Sequence, residues 1–152
     1  MIEIQVEKWA TFFPDAKAIF PLHWKELALY QDAIPLDIDE GKYEQLDKLD
    51  VLLILTARED GRMVGYYLWF LMAHGHYKSS GAMGLTDMYF VLPEYRRGVG
   101  VRLFKQSETE LRSRGIKKAI TSCKVHENHS ALFEAMGWRL TDLTFSKLLV
   151  EA

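Results

Sequence analysis

The residues best suited to chemistry lie in one run, Met88-Tyr89-Phe90-Val91-Leu92-Pro93-Glu94-Tyr95-Arg96-Arg97-Gly98-Val99-Gly100-Val101-Arg102-Leu103-Phe104. It opens like the end of a strand and closes like the start of a helix, with paired arginines and spaced glycines between. Such a junction suits an anion. Glycine lets the backbone approach a ligand closely and take positive φ. The first turn of a helix leaves N–H groups unpaired at the positive end of its dipole. A phosphate or pyrophosphate is the expected guest, and Arg96, Arg97 and Arg102 add charge. A glycine turn with solvated arginines would read the same way. No Gly-Lys-Ser/Thr follows, so this is not a Walker loop, and the three-glycine dinucleotide fingerprint is missing.

Other reactive side chains are sparse. Cys123 is the only cysteine, which forbids an internal disulfide and a cysteine-rich metal site. It reads as a small buried hydrophobe; a nucleophile would need a base that sequence does not place. His74 and His76 share a glycine-rich loop with Tyr77, but no third ligand accompanies them, so no metal is expected. Contact with an acceptor and plain exposure are the other readings of that pair. Tyr66, Tyr67, Trp69 and Phe70 read as sheet core, with some lining an acceptor pocket. Arg112, Arg114, Lys117 and Lys118 complement a helix C-terminus. No aromatic residues are interleaved with them, so they read as a solvated face and not as a nucleic-acid site.

The elements around these residues follow from periodicity. Ile2, Ile4 and Val6 alternate and predict a short strand. An apolar-periodic stretch from Lys8 to Tyr30 predicts a helical pair broken at Pro14 and Pro21. A short helix is expected over Lys42 to Leu49. Val51 to Ala57 is an apolar run typical of a strand covered on both faces. Asp60-Gly61 turns it into a second strand, Met63 to Met72. After a loop from His74 to Gly84, a third strand runs from Gly84 to Leu92, which completes an antiparallel meander. A helix from Gly100 follows, with Val101, Phe104 and Leu111 on one face and Gly115 as its stop. Lys118 to Val125 then reads as a strand parallel to the one before the helix, through a right-handed crossover. A helix over Ser130 to Met136 and a last strand over Thr141 to Val150 complete the chain. The fold class is α/β, with a mixed sheet.

Length and composition narrow the classes further. The chain has 152 residues, which favours a single domain over 1–152. It is 49% hydrophobic and 26% charged, the balance of an ordinary globular domain. The net charge of −2 argues against a nucleic-acid partner. No apolar run reaches the length of a membrane span. The start, MIEIQVEKW, has no basic and apolar regions of a signal peptide, so the expected compartment is the cytoplasm.

The motifs resemble those of the GCN5-related N-acetyltransferase (GNAT) superfamily. Val91, Pro93, Glu94 and Tyr95 match the end of its central strand, and Arg96 to Val101 match its pyrophosphate loop. One residue of the usual loop is absent, so Tyr95 stands where the first Gln or Arg would be. Leu132-Phe133-Glu134-Ala135-Met136-Gly137-Trp138 is similar to the family's Leu-Tyr-Glu-x-x-Gly-Phe. The resemblance covers about residues 51 to 145.

What the resemblance implies is an N-acetyltransferase that uses acetyl-CoA and no metal. The pyrophosphate would rest on the N–H groups of Arg97, Gly98, Val99, Gly100 and Val101, beside Arg96. The pantetheine would run along the backbone of Tyr89, Phe90 and Val91, between the two parallel strands, which splay in the family. An N–H near Val91 would polarise the thioester carbonyl. His126 or Asn128 would contact the cofactor. Phe133 stands where the family often has a proton-donating tyrosine; a phenyl ring has no proton to give. Asp87 is the first choice for the general base, with an arginine pairing or recognition of a cationic substrate as its other roles. The reaction would be direct attack by a primary amine, without an acyl-enzyme on Cys123. The acceptor would be a small amine or a protein amine, and the acidic residues Asp32, Asp37, Asp39 and Glu40 would favour a positively charged one. A catalytically degenerate module that binds CoA as a sensor or scaffold is the alternative. A homodimer is left open.

Overall fold

The structure, a computed structural model, describes residues 1–151. The elements in chain order are β1 (Ile2–Glu7), α1 (Trp9–Ala16), α2 (Phe20–Leu27), α3 (Glu40–Lys48), β2 (Leu52–Glu59), β3 (Arg62–Ala73), β4 (Ala82–Val91), a single 3-10 turn (Pro93–Tyr95), α4 (Val99–Ser113), β5 (Ala119–Ile120) and α5 (Ser130–Ala135). They form two compact units. One holds Met1–Phe20 and Ile38–Thr121; the other holds Pro21–Asp37 and the chain from Ser122 onward.

The first unit contains the sheet, in the order β1-β2-β3-β4-β5. All its neighbours are antiparallel except β4 and β5. It is therefore the expected mixed sheet, a meander followed by one parallel crossover. Asp60 and Gly61, at φ 50° and 84°, make the tight turn between β2 and β3. Both central residues of a type I′ turn need positive φ, which is why Asp-Gly sits there.

The two faces of the sheet are read from Tyr66 and Tyr67, successive residues that must point to opposite sides. The Tyr66 ring meets Phe12 of α1 edge-on at 5.4 Å, and the Tyr67 ring meets Phe104 of α4 at 5.2 Å. Helices α1 and α4 thus cover opposite faces. Trp9 of α1 stacks on Tyr43 of α3 at 4.5 Å, which puts α3 beside α1. Each face carries an aromatic layer, and burying each such ring stabilises the fold by about 1.5–3 kcal/mol. Pro14 is tolerated near the end of α1, and the chain breaks after Ala16 before restarting at Phe20.

Charge is buried at one place in this unit. Glu7 on β1 accepts hydrogen bonds from Gln5, Thr56 and Arg58, and Arg58 reaches on to Asp15 and the Gly61 carbonyl. Burial alone would raise the Glu7 pKa; the hydrogen bonds from Arg58, Thr56 and Gln5 outweigh it and hold the carboxyl below its ordinary value.

Several expectations need correction. The face of α4 turned to the sheet is Val99, Leu103, Phe104, Ser107 and Leu111; Val101 is only half-buried. Helix α3 starts two residues early because the Asp39 side chain accepts from the Lys42 N–H at 3.0 Å and caps it. The strand expected over Lys118 to Val125 shrinks to Ala119–Ile120. The last expected strand, Thr141 to Val150, is no strand. Its apolar residues suit a strand, but a strand exists only through a backbone partner, and this segment has none among the described residues.

The second unit is looser. Phe133, 8% exposed, is the buried residue of α5 and lies 6.3 Å from the Trp138 ring. The Trp138 N–H donates to the Phe133 carbonyl, and Gly137, at φ 88°, ends the helix. No helix among the described residues is long and apolar enough to cross a membrane.

Candidate functional site

The glycine junction is built as a short staircase. Pro93 opens the 3-10 turn after β4, and Tyr95 Oη donates to Glu59 at 2.6 Å, which ties the turn to β2. Gly98 takes φ 92°, a left-handed conformation that admits glycine readily, and α4 starts at the next residue. The Gly98 N–H donates to the Arg96 carbonyl. The N–H groups of Arg97, Val99, Gly100 and Val101 have no backbone acceptor among the described residues. A Cβ built at Gly98 or Gly100 would meet no atom within 4 Å, so the space before these amides is open. A row of free N–H groups at a helix start, with room in front, fits a diphosphate.

The three arginines divide. Arg97 is exposed and makes no hydrogen bond or ion pair among the described residues. Arg96 bends back: its Nε donates to the Val91 carbonyl at 3.1 Å, and its guanidinium lies 5.3 Å from the Phe90 ring centre. Arg102 donates to the Ile2 carbonyl at 2.8 Å and so braces β1.

A bulge in β4 organises the rest. Leu68 faces Met88 while Trp69 faces Thr86, so Asp87 is an extra residue with no partner on β3. Its effect shows at the two ends of the strand. The Gly84 N–H donates to Lys118, toward β5, whereas the Leu92 N–H donates to Val64, toward β3. Strict alternation would turn both the same way, and one extra residue reverses the phase. Beyond the bulge, Tyr89 and Val91 therefore turn their amides away from β3. Phe90 turns its own toward β3, and its ring lies on the sheet face of Tyr66, 6.4 Å from that ring. The ladder to β5 covers only Gly84–Ala119 and Leu85–Ile120, so the outward amides of Tyr89 and Val91 lie beyond it, on the edge of β4 that faces away from β3.

The same bulge aims Asp87 at the α1/α3 face. Tyr43 Oη donates to Asp87 Oδ2 at 2.6 Å. Burial raises the Asp87 pKa above the usual carboxylate range, against the lowering effects of the Tyr43 hydrogen bond and the Lys42 charge. Burial and the neighbouring Asp87 push the Tyr43 phenol far upward, so it stays protonated and stays a donor. A carboxylate with a raised pKa, held in one orientation at the side of that strand edge, can accept a proton from a nucleophile.

Where β4 and β5 part, Tyr67 Oη lies 3.0 Å from Thr86 Oγ1 and 2.7 Å from Thr121 Oγ1. These two threonines directly follow the last backbone-paired residues of their strands.

Asp87, Tyr89, Phe90, Val91 and Arg96 to Val101 thus share the first unit, in order along β4 and into α4. His126, Asn128 and Phe133 belong to the second. There His126 Nε2 lies 3.3 Å from the Glu26 carbonyl oxygen. Asn128 Oδ1 accepts from the Ser130 N–H and hydroxyl and, at 3.7 Å, from the Cys123 thiol. No group of His, Cys, Asp or Glu that could hold a metal ion occurs among the described residues. Sequence reasoning missed Tyr43, Thr86 and Thr121, and it read Tyr67 as sheet core or acceptor-pocket lining without its two threonine partners. Tyr43 carried one signal, its place on a helix that presents few other apolar residues to the sheet.

Comparison with known proteins gives one family and one fold. The profile of the acetyltransferase (GNAT) family matches residues 9–138. No curated protein sequence matches the chain. Among solved structures, a predicted acetyltransferase with acetyl-CoA from Clostridium acetobutylicum has a TM-score of 0.73 at 13% identity, covering 98% of this chain and 97% of that one. An aminoglycoside acetyltransferase from an uncultured soil metagenomic sample has a TM-score of 0.74 at 15% identity, covering 99% of each. Glucosamine-6-phosphate N-acetyltransferase from Arabidopsis thaliana has a TM-score of 0.68 at 15% identity, again covering 99% of each. At these identities the likeness is one of fold.

Proposed function

The chain belongs to the acetyltransferase (GNAT) family and is an acetyl-CoA-dependent N-acetyltransferase; from that premise we propose that it acetylates a primary amine by direct attack, with Asp87 as general base. The observation that carries this reading is the order of groups along one strand: the half-buried carboxylate at the bulge, the outward amides of Tyr89 and Val91, then the free N–H groups of the glycine junction. Bound acetyl-CoA supplies an activated acyl group as a thioester. The chain's own part is to hold and to move a proton. The N–H groups of Arg97, Val99, Gly100 and Val101 hold the pyrophosphate, and Arg97 adds charge. Val91 pairs with the pantetheine as if with a further strand, and the Tyr89 N–H is kept for the thioester carbonyl; Arg96 lies beside them over the Phe90 ring.

The base and the donor that polarises the carbonyl must serve the same carbon. At a rise of about 3.3 Å per residue, the Tyr89 N–H lies roughly 7 Å along the strand from Asp87, and Val91 roughly 13 Å. The oxyanion role therefore belongs to Tyr89 and not to Val91. Asp87 takes the proton of the acceptor ammonium, directly or through water. Phe133 has no proton to give, and a thiolate leaves well without one. His126, Asn128 and Phe133 belong to this proposal through the family resemblance alone. So do the single domain over 1–152 and the cytoplasmic location.

The acceptor class is an amine, small or protein-borne; fold neighbours named for aminoglycosides and glucosamine-6-phosphate support a small one. The test is an amine panel followed by thiol release, beside calorimetric titration of acetyl-CoA. Turnover with one amine class carries the proposal. Tight binding of CoA with failure on every amine would replace it with the sensor or scaffold reading, which Phe133 and the shortened loop favour.

A further inference from the structure

We propose that Tyr67 is a positioning residue that sets where β4 and β5 part, and with it the depth of the slot for the pantetheine arm; this rests on the acetyl-CoA reading above. The backbone ladder stops at Leu85 and Ile120, and the next residues of the two strands are Thr86 and Thr121. Both are β-branched, a type that suits continued strand pairing. What joins them instead is a side chain from the neighbouring strand. Tyr67 Oη bridges Thr86 Oγ1 at 3.0 Å and Thr121 Oγ1 at 2.7 Å. A phenol has one proton and can also accept, so it satisfies both hydroxyls at once.

The bridge is rigid. Tyr67 is 1% exposed, and its ring is held by Trp69 at 4.6 Å, Tyr89 at 5.2 Å and Phe104 at 5.2 Å. Burial pushes its pKa upward, so the proton stays in place. A spacer of this kind prevents the ladder from closing over Tyr89, whose outward amide the cofactor needs. It also places the tip of the fork one residue from Asp87. The reacting end of the arm then stops beside the base, because it can travel no deeper.

The experiment compares two ligands by calorimetry: CoA, and its 3′-phospho-ADP fragment, which lacks the pantetheine arm and needs only the glycine junction. Tyr67→Phe and Thr121→Val should each weaken CoA roughly tenfold, the scale of one lost buried hydrogen bond with its unpaired partner. Neither should change binding of the fragment. Thr121→Ser keeps the hydroxyl and should recover the affinity lost in Thr121→Val. An equal loss for both ligands would show general loosening and overturn the proposal, as would unchanged CoA binding in both variants. Failure of the wild type to bind CoA at all would sink the acetyl-CoA reading itself, and the fork with it.

Discussion

Tyr43 Oη donates to Asp87 Oδ2 at 2.6 Å across 44 residues of sequence, linking α3 to the bulge of β4. The Tyr43 ring is itself fixed, stacked on Trp9 at 4.5 Å with 11° between the planes. This hydrogen bond lowers the Asp87 pKa against the larger effect of burial. Tyr43→Phe removes only the donor, so the Asp87 pKa should rise further. The acid limb of the pH–rate profile should move to higher pH, with the plateau rate at alkaline pH nearly kept. A fall in rate by the same factor at every pH would mean that Tyr43 matters through packing alone.

Asp87 is expected to trade stability for activity. Its folded-state pKa is raised, so the folded protein favours the protonated form. Its contribution is most favourable below the unfolded pKa and is lost as pH rises through the folded one. Asp87→Asn should therefore melt at or above the wild-type temperature at neutral pH, with the difference shrinking in acid. Its turnover should fall by about 10²- to 10⁴-fold, as for loss of a general base. Thermal melts at two pH values beside initial rates check both signs.

The two glycines of the junction should respond in opposite ways. Gly98 has φ 92°, so Gly98→Ala strains the backbone by about 1–2 kcal/mol and lowers stability. Gly100 lies within α4, and its added methyl group meets nothing within 4 Å. Gly100→Ala should hold or raise stability, by at most about 1 kcal/mol. If a diphosphate occupies the open space, the same variant should weaken CoA. Stability kept with affinity lost is the signature; affinity kept would move the phosphates elsewhere.

Glu7 governs acid sensitivity. Its pKa is depressed, so its contribution is full above the unfolded value and is lost as pH falls through the folded one. Glu7→Gln breaks a buried pair with Arg58 and should cost about 3–5 kcal/mol. Denaturant titrations at neutral and acid pH should show the variant flattening the acid loss. A variant as acid-sensitive as the wild type would assign that loss to another carboxylate.

The sequence displayed its local features well and its pairings poorly. Asp60-Gly61 announces a turn because only that backbone geometry fits it, and Arg96 to Val101 announces an anion site because spaced glycines before a helix have few other uses. The bulge at Asp87 was hidden, since a one-residue shift of phase depends on what β3 offers opposite. The roles of Tyr43 and Tyr67 were hidden for the same reason: their hydroxyl partners lie 44 and 54 residues away. Thr141 to Val150 shows the opposite failure, an apolar segment of strand character that no partner strand completes among the described residues.

The placement of β1 has a consequence in time. β2, β3 and β4 follow one another and pair with their neighbours, joined at first by the two-residue Asp60-Gly61 turn. β1 instead pairs Ile2 with Glu59 and Glu7 with Ile54, after a long excursion through α1, α2 and α3. Closing that loop costs more entropy than closing a hairpin. The chain should thus assemble its meander early and recruit its first strand late. In native-state hydrogen exchange, β1 amides should open at lower free energy than those shared by β2 and β3. Arg102, bonded to the Ile2 carbonyl from α4, then acts as a latch that engages only when folding is nearly complete.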